Sequence, residues 1–374
     1  MSRILHRLRE VARARWTHLQ KELEEYEKTH GPPHASASSP EEESLRLIPI
    51  ASGKGGVGKT NIAVGLAIAA GLILHRNNKR VLLIDGDVGL PNTDLVLGVR
   101  PDRSLSDLIE NGTFERIEDL IVPTRYPGLD FIAGSEEASL VLGNLYYQQR
   151  RKLMGQVARL TSSVVFFDLG AGGSKEVLDF FALSDSGILV VNPEPASIRD
   201  AYVFLKNAFL RRIRHTLETR RIARTFFDDI LKDNSRDWKR LLDHLREAAE
   251  GGREDAKATL ETWYDTRSSF RPLLIVNKAE SFREARNTAR SFEETARKHL
   301  DLHCRFLGPV LKDAAVERAV KRSRPFRIVE PQSPASKCVD EISRKLLGKE
   351  TRPLESNIFR FGRFITDRIL AEHP

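Results

Sequence analysis

The apolar residues of this chain are concentrated in short unbroken blocks: Leu47–Ala51, Arg80–Ile84, Leu129–Ala133, Val164–Asp168, Gly187–Asn192, Pro272–Val276 and Phe306–Val310. Most are continuously apolar rather than alternating, the pattern of strands covered on both faces. Helix-period stretches separate them, which predicts an α/β fold, a doubly wound and mostly parallel sheet. Residues 211–268 interrupt the rhythm. They are charged and helical in pattern and lie between two core strands, so they read as an inserted helical subdomain. At the N-terminus Leu5, Leu8, Ala12, Trp16, Leu19, Leu23 and Tyr26 recur at steps of three and four, one stripe of an amphipathic helix. Gly31-Pro32-Pro33 ends it, and a Pro-, Ser- and Glu-rich stretch follows. The expected organisation is an N-terminal helix (1–30), a flexible linker (31–45), an α/β core (46–210 and 269–348), the helical insertion (211–268) and a C-terminal amphipathic helix (349–374).

Composition changes this picture little. A chain of 374 residues with 40% hydrophobic and 30% charged residues is ordinary for a globular protein. Its formal charge of +8 favours an acidic partner such as nucleotide, nucleic acid or a membrane surface. Cys304 and Cys338 are far apart, which supports neither a disulfide framework nor a metal or iron–sulfur site. The longest apolar run, Ile62 to Leu74, is too short to span a bilayer. The arginine-rich start runs on into Glu22-Leu23-Glu24-Glu25, unlike an organelle transit peptide. A cytoplasmic location is expected.

Chemistry concentrates where the first block ends. Gly53-Lys54-Gly55-Gly56-Val57-Gly58-Lys59-Thr60 fits G-x-x-x-x-G-K-[ST] between a strand and a helix. Glycines let backbone N–H groups wrap phosphates, Lys59 would reach the β- and γ-phosphates, and the Thr60 hydroxyl would ligate Mg²⁺. Asn61, the next residue, is also expected to bind nucleotide, and the positive end of the following helix faces the same anions. Val164–Asp168 ends in a carboxylate suited to holding Mg²⁺ through water, and Leu82–Asp87 ends in two, Asp85 and Asp87. ATP and Mg²⁺ are the expected cofactors.

The loop resembles the deviant phosphate-binding motif K-G-G-V-G-K-T of the MinD/ParA ATPases. In that family the extra lysine, here Lys54, contacts nucleotide bound by a second protomer, which implies an ATP-bound homodimer. Asp85-Gly86-Asp87-Val88-Gly89-Leu90-Pro91-Asn92-Thr93-Asp94 is similar to its switch D-x-D-x-G-L-x-N-x-D. The resemblance implies that Asp87 helps activate water, that Asp85 stands beside the Mg²⁺ shell, and that Lys54, Lys59 and Asp87 form the catalytic set. Within the family, Asp168-Leu169-Gly170-Ala171-Gly172 and Pro193-Glu194-Pro195 through Tyr202 resemble segments of the FlhG (FleN/YlxH) group, which controls flagellar number and placement. Leu169 replaces a hydroxyl residue there. Val276-Asn277-Lys278-Ala279 resembles the adenine-contacting V-N-[KR]-A, so Asn277 and Lys278 are expected beside the base. Leu307 to Asp313 resembles the loop that closes over it. The N-terminal D-Q-A-x-x-L-R segment with which FlhG engages its partner GTPase has no match, so the partner is expected to be a flagellar or other positioning factor.

Two surfaces lead in different directions. Arg211, Arg212, Arg214, Arg220, Arg221 and Arg224 offer a basic cluster for DNA, the ParA-type alternative, but Glu and Asp follow closely and a solvated helix face accounts for it better. At the C-terminus Ile358, Phe361, Ile365 and Ile369 share one helical face, with Arg360, Arg363 and Asp367 opposite. Helices of this kind in MinD and FlhG bind membrane reversibly, which makes an anionic surface the expected partner of residues 356–371 and docking on the chain's own core the alternative. Each buried apolar side chain contributes only about 1.5–3 kcal/mol. Pairing two tails on one dimer raises apparent affinity by roughly 10²–10⁴. Co-sedimentation with anionic liposomes should therefore require ATP, weaken with salt and disappear in Ile365→Glu, while hydrolysis in solution persists. Unchanged lipid binding in Ile365→Glu would defeat the membrane role of this segment.

Overall fold

The computed structural model describes residues 46–87, 91–105, 107, 116–134, 155–157, 160, 162–220, 222, 225–234 and 238–348. The predicted N-terminal helix, linker and C-terminal helix lie outside the described residues. So do Arg221 and Arg224 of the basic cluster.

The first half of the fold runs β1 (Arg46–Ser52), α1 (Lys59–Leu74), β2 (Val81–Gly86), α2 (Thr93–Leu97), β3 (Val122–Pro123), β4 (Leu129–Ile132), β5 (Val164–Ala171), α3 (Lys175–Phe181) and β6 (Ile188–Val191). There follow α4 (Pro195–Thr219), α5 (Thr225–Asn234), α6 (Trp238–Glu250), α7 (Glu254–Ser269), β7 (Leu273–Ala279), α8 (Phe282–Leu300), β8 (Arg305–Leu311), α9 (Ala314–Lys321), α10 (Phe326–Val329) and α11 (Pro334–Leu346). Among the described residues the strands form one sheet in the order β3-β4-β2-β5-β1-β6-β7-β8. Every pairing is parallel except that of β3 with β4.

All seven expected strands are present, and their continuous apolar runs are explained by burial on both faces. β2, β4 and β6 are buried at every position. Edge strand β3 was not anticipated, because two residues carry no periodic signal. Helix α1 has no polar stripe, since residues from Ile62 to Gly71 are buried all round. It lies between the sheet and the C-terminal helices, where a Cβ on Gly65 would stand 3.1 Å from the Phe326 ring and 3.4 Å from Val339.

The parallel register brings strand ends to one edge. Asp85 of β2 pairs with Asp168 of β5, and Ser52 of β1 pairs with Ala171. The crossover after β1 runs past β5 to β2, and the crossover after its neighbour β5 runs past β1 to β6, so the two depart in opposite directions and open a crevice at the C-terminal edge.

Helix α4 crosses the expected 210/211 boundary without a break. Its buried Phe209, Ile213 and Leu217 continue one stripe from the core into the region of α5–α7. There Trp263 of α7 packs edge-to-face on Phe209 at 5.2 Å, and Phe227, Leu241 and Leu245 are buried. Arginines at the C-terminal end of α4 and at its cap are engaged: Arg211 with Asp179, Arg212 with Asp185, Arg214 with Asp228 at 2.8 Å, and the capping Arg220 with Asp265 at 2.8 Å. Truncating a buried large aromatic costs about 3–5 kcal/mol. Trp263→Ala should accordingly lower the urea midpoint, and an unchanged midpoint would mean that α7 does not pack on α4 as described.

Candidate nucleotide site

The loop between β1 and α1 is shaped by close backbone approaches. A Cβ on Gly53 would collide with the backbone at Asp200 and Ala201 of α4, so only glycine fits there. Gly56 and Gly58 take φ of 76° and 90°, left-handed values that suit glycine. From β7, Asn277 Nδ2 donates to the Val57 carbonyl at 2.7 Å and Lys278 Nζ to the Gly56 carbonyl at 2.8 Å. Across a planar trans peptide the N–H points opposite the C=O, so drawing these carbonyls toward β7 turns the N–H groups of Val57 and Gly58 the other way. Asn277 and Lys278, expected beside the base, thus also tie down the loop.

Behind the loop lies a buried network of charge. Lys59 Nζ donates to Asp168 Oδ1 at 2.7 Å, with the two side chains 6% and 0% exposed. Asp85 Oδ1 accepts the Asp87 N–H at 3.0 Å, and Asp85 Oδ2 accepts the Thr93 N–H at 3.1 Å. The Asp85 carboxylate therefore holds both sides of the switch segment. Burial pushes its pKa up to about 7, the nearby Asp168 charge adds to the rise, and the N–H donors oppose it. Asp87 is half-buried and faces a cleft of about 400 Å³ that it shares with Gly55 through Asn61. An adjoining cleft of about 740 Å³, lined by Asn61, Asn277, Lys278, Val316 and Phe326, has the size and mixed lining of a base-and-ribose site.

The residues present fit a nucleotide and a hard cation. A loop in which Cβ atoms at Gly53 and Gly58 would collide with neighbouring atoms is built for close backbone approach. The proposed metal ligands, the Thr60 hydroxyl with Asp85 and Asp168, are all oxygen donors, the set that suits Mg²⁺.

Lys54 does not fold over its own loop. Its Nζ pairs with Glu194 Oε2 at 2.7 Å, just ahead of α4, and that pair holds the Glu194 carboxyl below the usual range. Asp313, in the segment expected over the base, lines the larger cleft with Leu311 and Lys312, caps α9 through the Ala315 N–H and accepts the Ala335 N–H of α11. Leu169 is buried, so its side chain packs within the core rather than lining the crevice. Thr93 and Glu194 are the site neighbours that sequence reasoning did not single out. Both lie inside quoted motifs, but a side chain's partner across the fold leaves no local signal.

A doubly wound sheet with a glycine-bound phosphate loop at its switch point defines a P-loop nucleotide-binding protein. The profile of the CobQ/CobB/MinD/ParA nucleotide binding domain matches residues 48–326, and the chain belongs to that family. It is 27% identical over 332 residues to the antiactivator FleN of Pseudomonas aeruginosa, covering 88% of this chain and 95% of that one. To the flagellum site-determining protein YlxH of Helicobacter pylori it is 26% identical, over 83% and 85% of the two chains. Its fold matches the septum site-determining protein MinD of Pyrococcus horikoshii, solved with Mg-ADP, at a TM-score of 0.50 and 19% identity, over 81% of this chain and 96% of that one.

The Asp85 shift has a measurable sign. An acid whose folded pKa is raised contributes stability that is fully present below its unfolded value, near 4, and is lost as pH rises through about 7. In EDTA and without nucleotide, the wild-type melting temperature should fall relative to that of Asp85→Asn between pH 5 and 8. The limiting slope is about 1.4 kcal/mol per pH unit. Parallel curves for the two proteins would show that Asp85 is not held protonated.

Proposed function

We propose that this chain is an ATP-operated two-state switch of the MinD/FlhG type, a spatial regulator acting on flagellar number or placement. The observation that carries the reading is the pairing of the two loop lysines. Lys59 rests on Asp168 inside the site, and Lys54 turns outward to Glu194. On ATP binding Lys59 exchanges Asp168 for the β- and γ-phosphates, a swap of one anion for another in a buried setting. Thr60, Asp85 and Asp168 would hold the cation, directly or through water. Mg²⁺ bound by them would neutralise charge on the β- and γ-phosphates. Asp87, at the cleft wall, orients the attacking water and accepts its proton. Lys54, on the outer side of the loop, reaches the nucleotide of a second copy. Loss of the γ-phosphate returns Lys59 to Asp168 and resets the switch.

In this reading the ATP dimer sits reversibly on the inner face of the membrane through residues 356–371 and recruits a positioning partner. Nucleic acid is disfavoured as that partner, because Arg211, Arg212, Arg214 and Arg220 are all committed to aspartates. Charges neutralised within the fold release few counterions from DNA.

Removing a residue that positions or activates water should cost on the order of 10²–10⁴-fold in turnover. Asp87→Ala is thus expected to bind ATP and lose most hydrolysis, whereas Lys59→Ala loses binding as well. Near wild-type turnover in Asp87→Ala would overturn the assignment. For the dimer, light scattering with a slowly hydrolysed ATP analogue should show Lys54→Ala monomeric while its nucleotide affinity is largely kept. A Lys54→Ala dimer as stable as wild type would remove Lys54 from the interface.

A further inference from the structure

Resting on the reading just given, the geometry points to Thr93 as a positioning residue whose hydroxyl couples the Asp87-bearing switch segment to the cation carboxylate Asp168. Thr93 is fully buried at the start of α2. Its N–H donates to Asp85 Oδ2 at 3.1 Å, and its Oγ1 hydroxyl donates to Asp168 Oδ2 at 3.4 Å. Asp168 Oδ1 is taken by Lys59, so Thr93 holds the other oxygen of the carboxylate that loses its lysine when phosphate arrives.

A threonine hydroxyl has one proton to give, and here Asp168 is the carboxylate that takes it. Its backbone N–H is already committed to Asp85, which also holds the Asp87 N–H. Thr93 is therefore the point at which the switch segment touches both strand-end acids. While Lys59 occupies Asp168, the hydroxyl contact is long and weak. Once Lys59 moves to the phosphates, Asp168 has a greater demand for a donor, and the Thr93 contact tightens as a charge-assisted bond. The segment carrying Asp87 is thereby drawn toward the occupied cation site. Valine at this position would preserve shape and the backbone bond while removing only the coupling.

The test uses the full-length chain with Thr93→Val, Thr93→Ala and Thr93→Ser beside wild type. Nucleotide affinity is measured with a fluorescent ATP analogue, with and without Mg²⁺. Turnover and amide exchange across residues 85–97 are followed in the same proteins. Thr93→Val should bind nucleotide without Mg²⁺ within about threefold of wild type, and should gain less affinity when Mg²⁺ is added. Its kcat should drop roughly ten- to hundredfold, the range for losing a hydrogen bond to a charged group, with little change in KM. Exchange in residues 85–97 should quicken in the presence of MgATP, and Thr93→Ser should restore all three properties. Thr93→Ala serves the same purpose where valine perturbs folding. Wild-type kcat, Mg²⁺ response and exchange in both hydroxyl-free variants would overturn the proposal, as would a serine variant no better than valine. Should wild type itself fail to hydrolyse ATP, the functional reading falls, and the exchange and Mg²⁺ measurements still decide Thr93.

Discussion

A lysine and an aspartate sealed from water, Lys59 on Asp168, set the terms for everything around them. Desolvating both charges is expensive, and their attraction offsets that cost only with good geometry and further donors. The fold provides the geometry by placing Asp168 within β5 beside β1, so that the lysine opening α1 reaches it across the loop. Such a pair is poor at adding stability but good at discriminating between anions. Removing one member strands the other, so Lys59 leaves Asp168 only for a partner of at least equal charge. Phosphate meets that condition, and an Asp168 freed in this way would require a cation in turn. The pairing therefore supports the proposal that nucleotide and metal bind together.

The loop that presents Lys59 is held from two directions. Asn277 and Lys278 of β7 fix two of its carbonyls, and the backbone of α4 presses on Gly53. Helix α4 is also bound to the segment after Asp168. Arg211 and His215 converge on buried Asp179 of α3, and Arg212 reaches the Ala182 and Ser184 carbonyls at 2.9 and 3.0 Å. One continuous helix thus touches the phosphate loop near its N-terminal end, grips the helix after β5 further along, and carries Phe209, Ile213 and Leu217 on into the packing with α7. The helices between β6 and β7 are built onto the same rod that supports the nucleotide loop.

Much of this was legible from residues alone, for physical reasons that differ by element. The buried strands were readable because parallel strands covered on both faces leave unbroken apolar runs. The phosphate loop was readable because its backbone demands glycine at set positions. Boundaries inside α4 were not, since a helix that passes from one packing environment to another keeps its 3.6 period throughout. Nor was the destination of its arginines. A cluster of like charges in sequence looks like a surface for nucleic acid, but Asp179, Asp185, Asp228 and Asp265 come from other elements. Thr93 escaped notice for a related reason. One buried threonine between two acids is defined by three strand and helix ends meeting, and no window of sequence contains them all.

The contrast between the two lysines of the loop carries the last step. Lys59 is buried, and its exchange of partners is governed by desolvation. Lys54 is about one-third exposed and its partner Glu194 more than half exposed, so water and salt screen that pair heavily. An exposed pair of this kind holds weakly, and the anion that replaces Glu194 need only be slightly better placed. In the proposed switch, nucleotide on a second copy is such an anion, brought up once the inner lysine has traded Asp168 for phosphate. On that proposal the two pairings act in sequence without any separate device: the tight inner pair admits nucleotide, and the loose outer pair yields to a second loaded copy. Because Glu194 leads directly into α4, release of Lys54 frees the residue at the head of the same helix that braces the loop and α3.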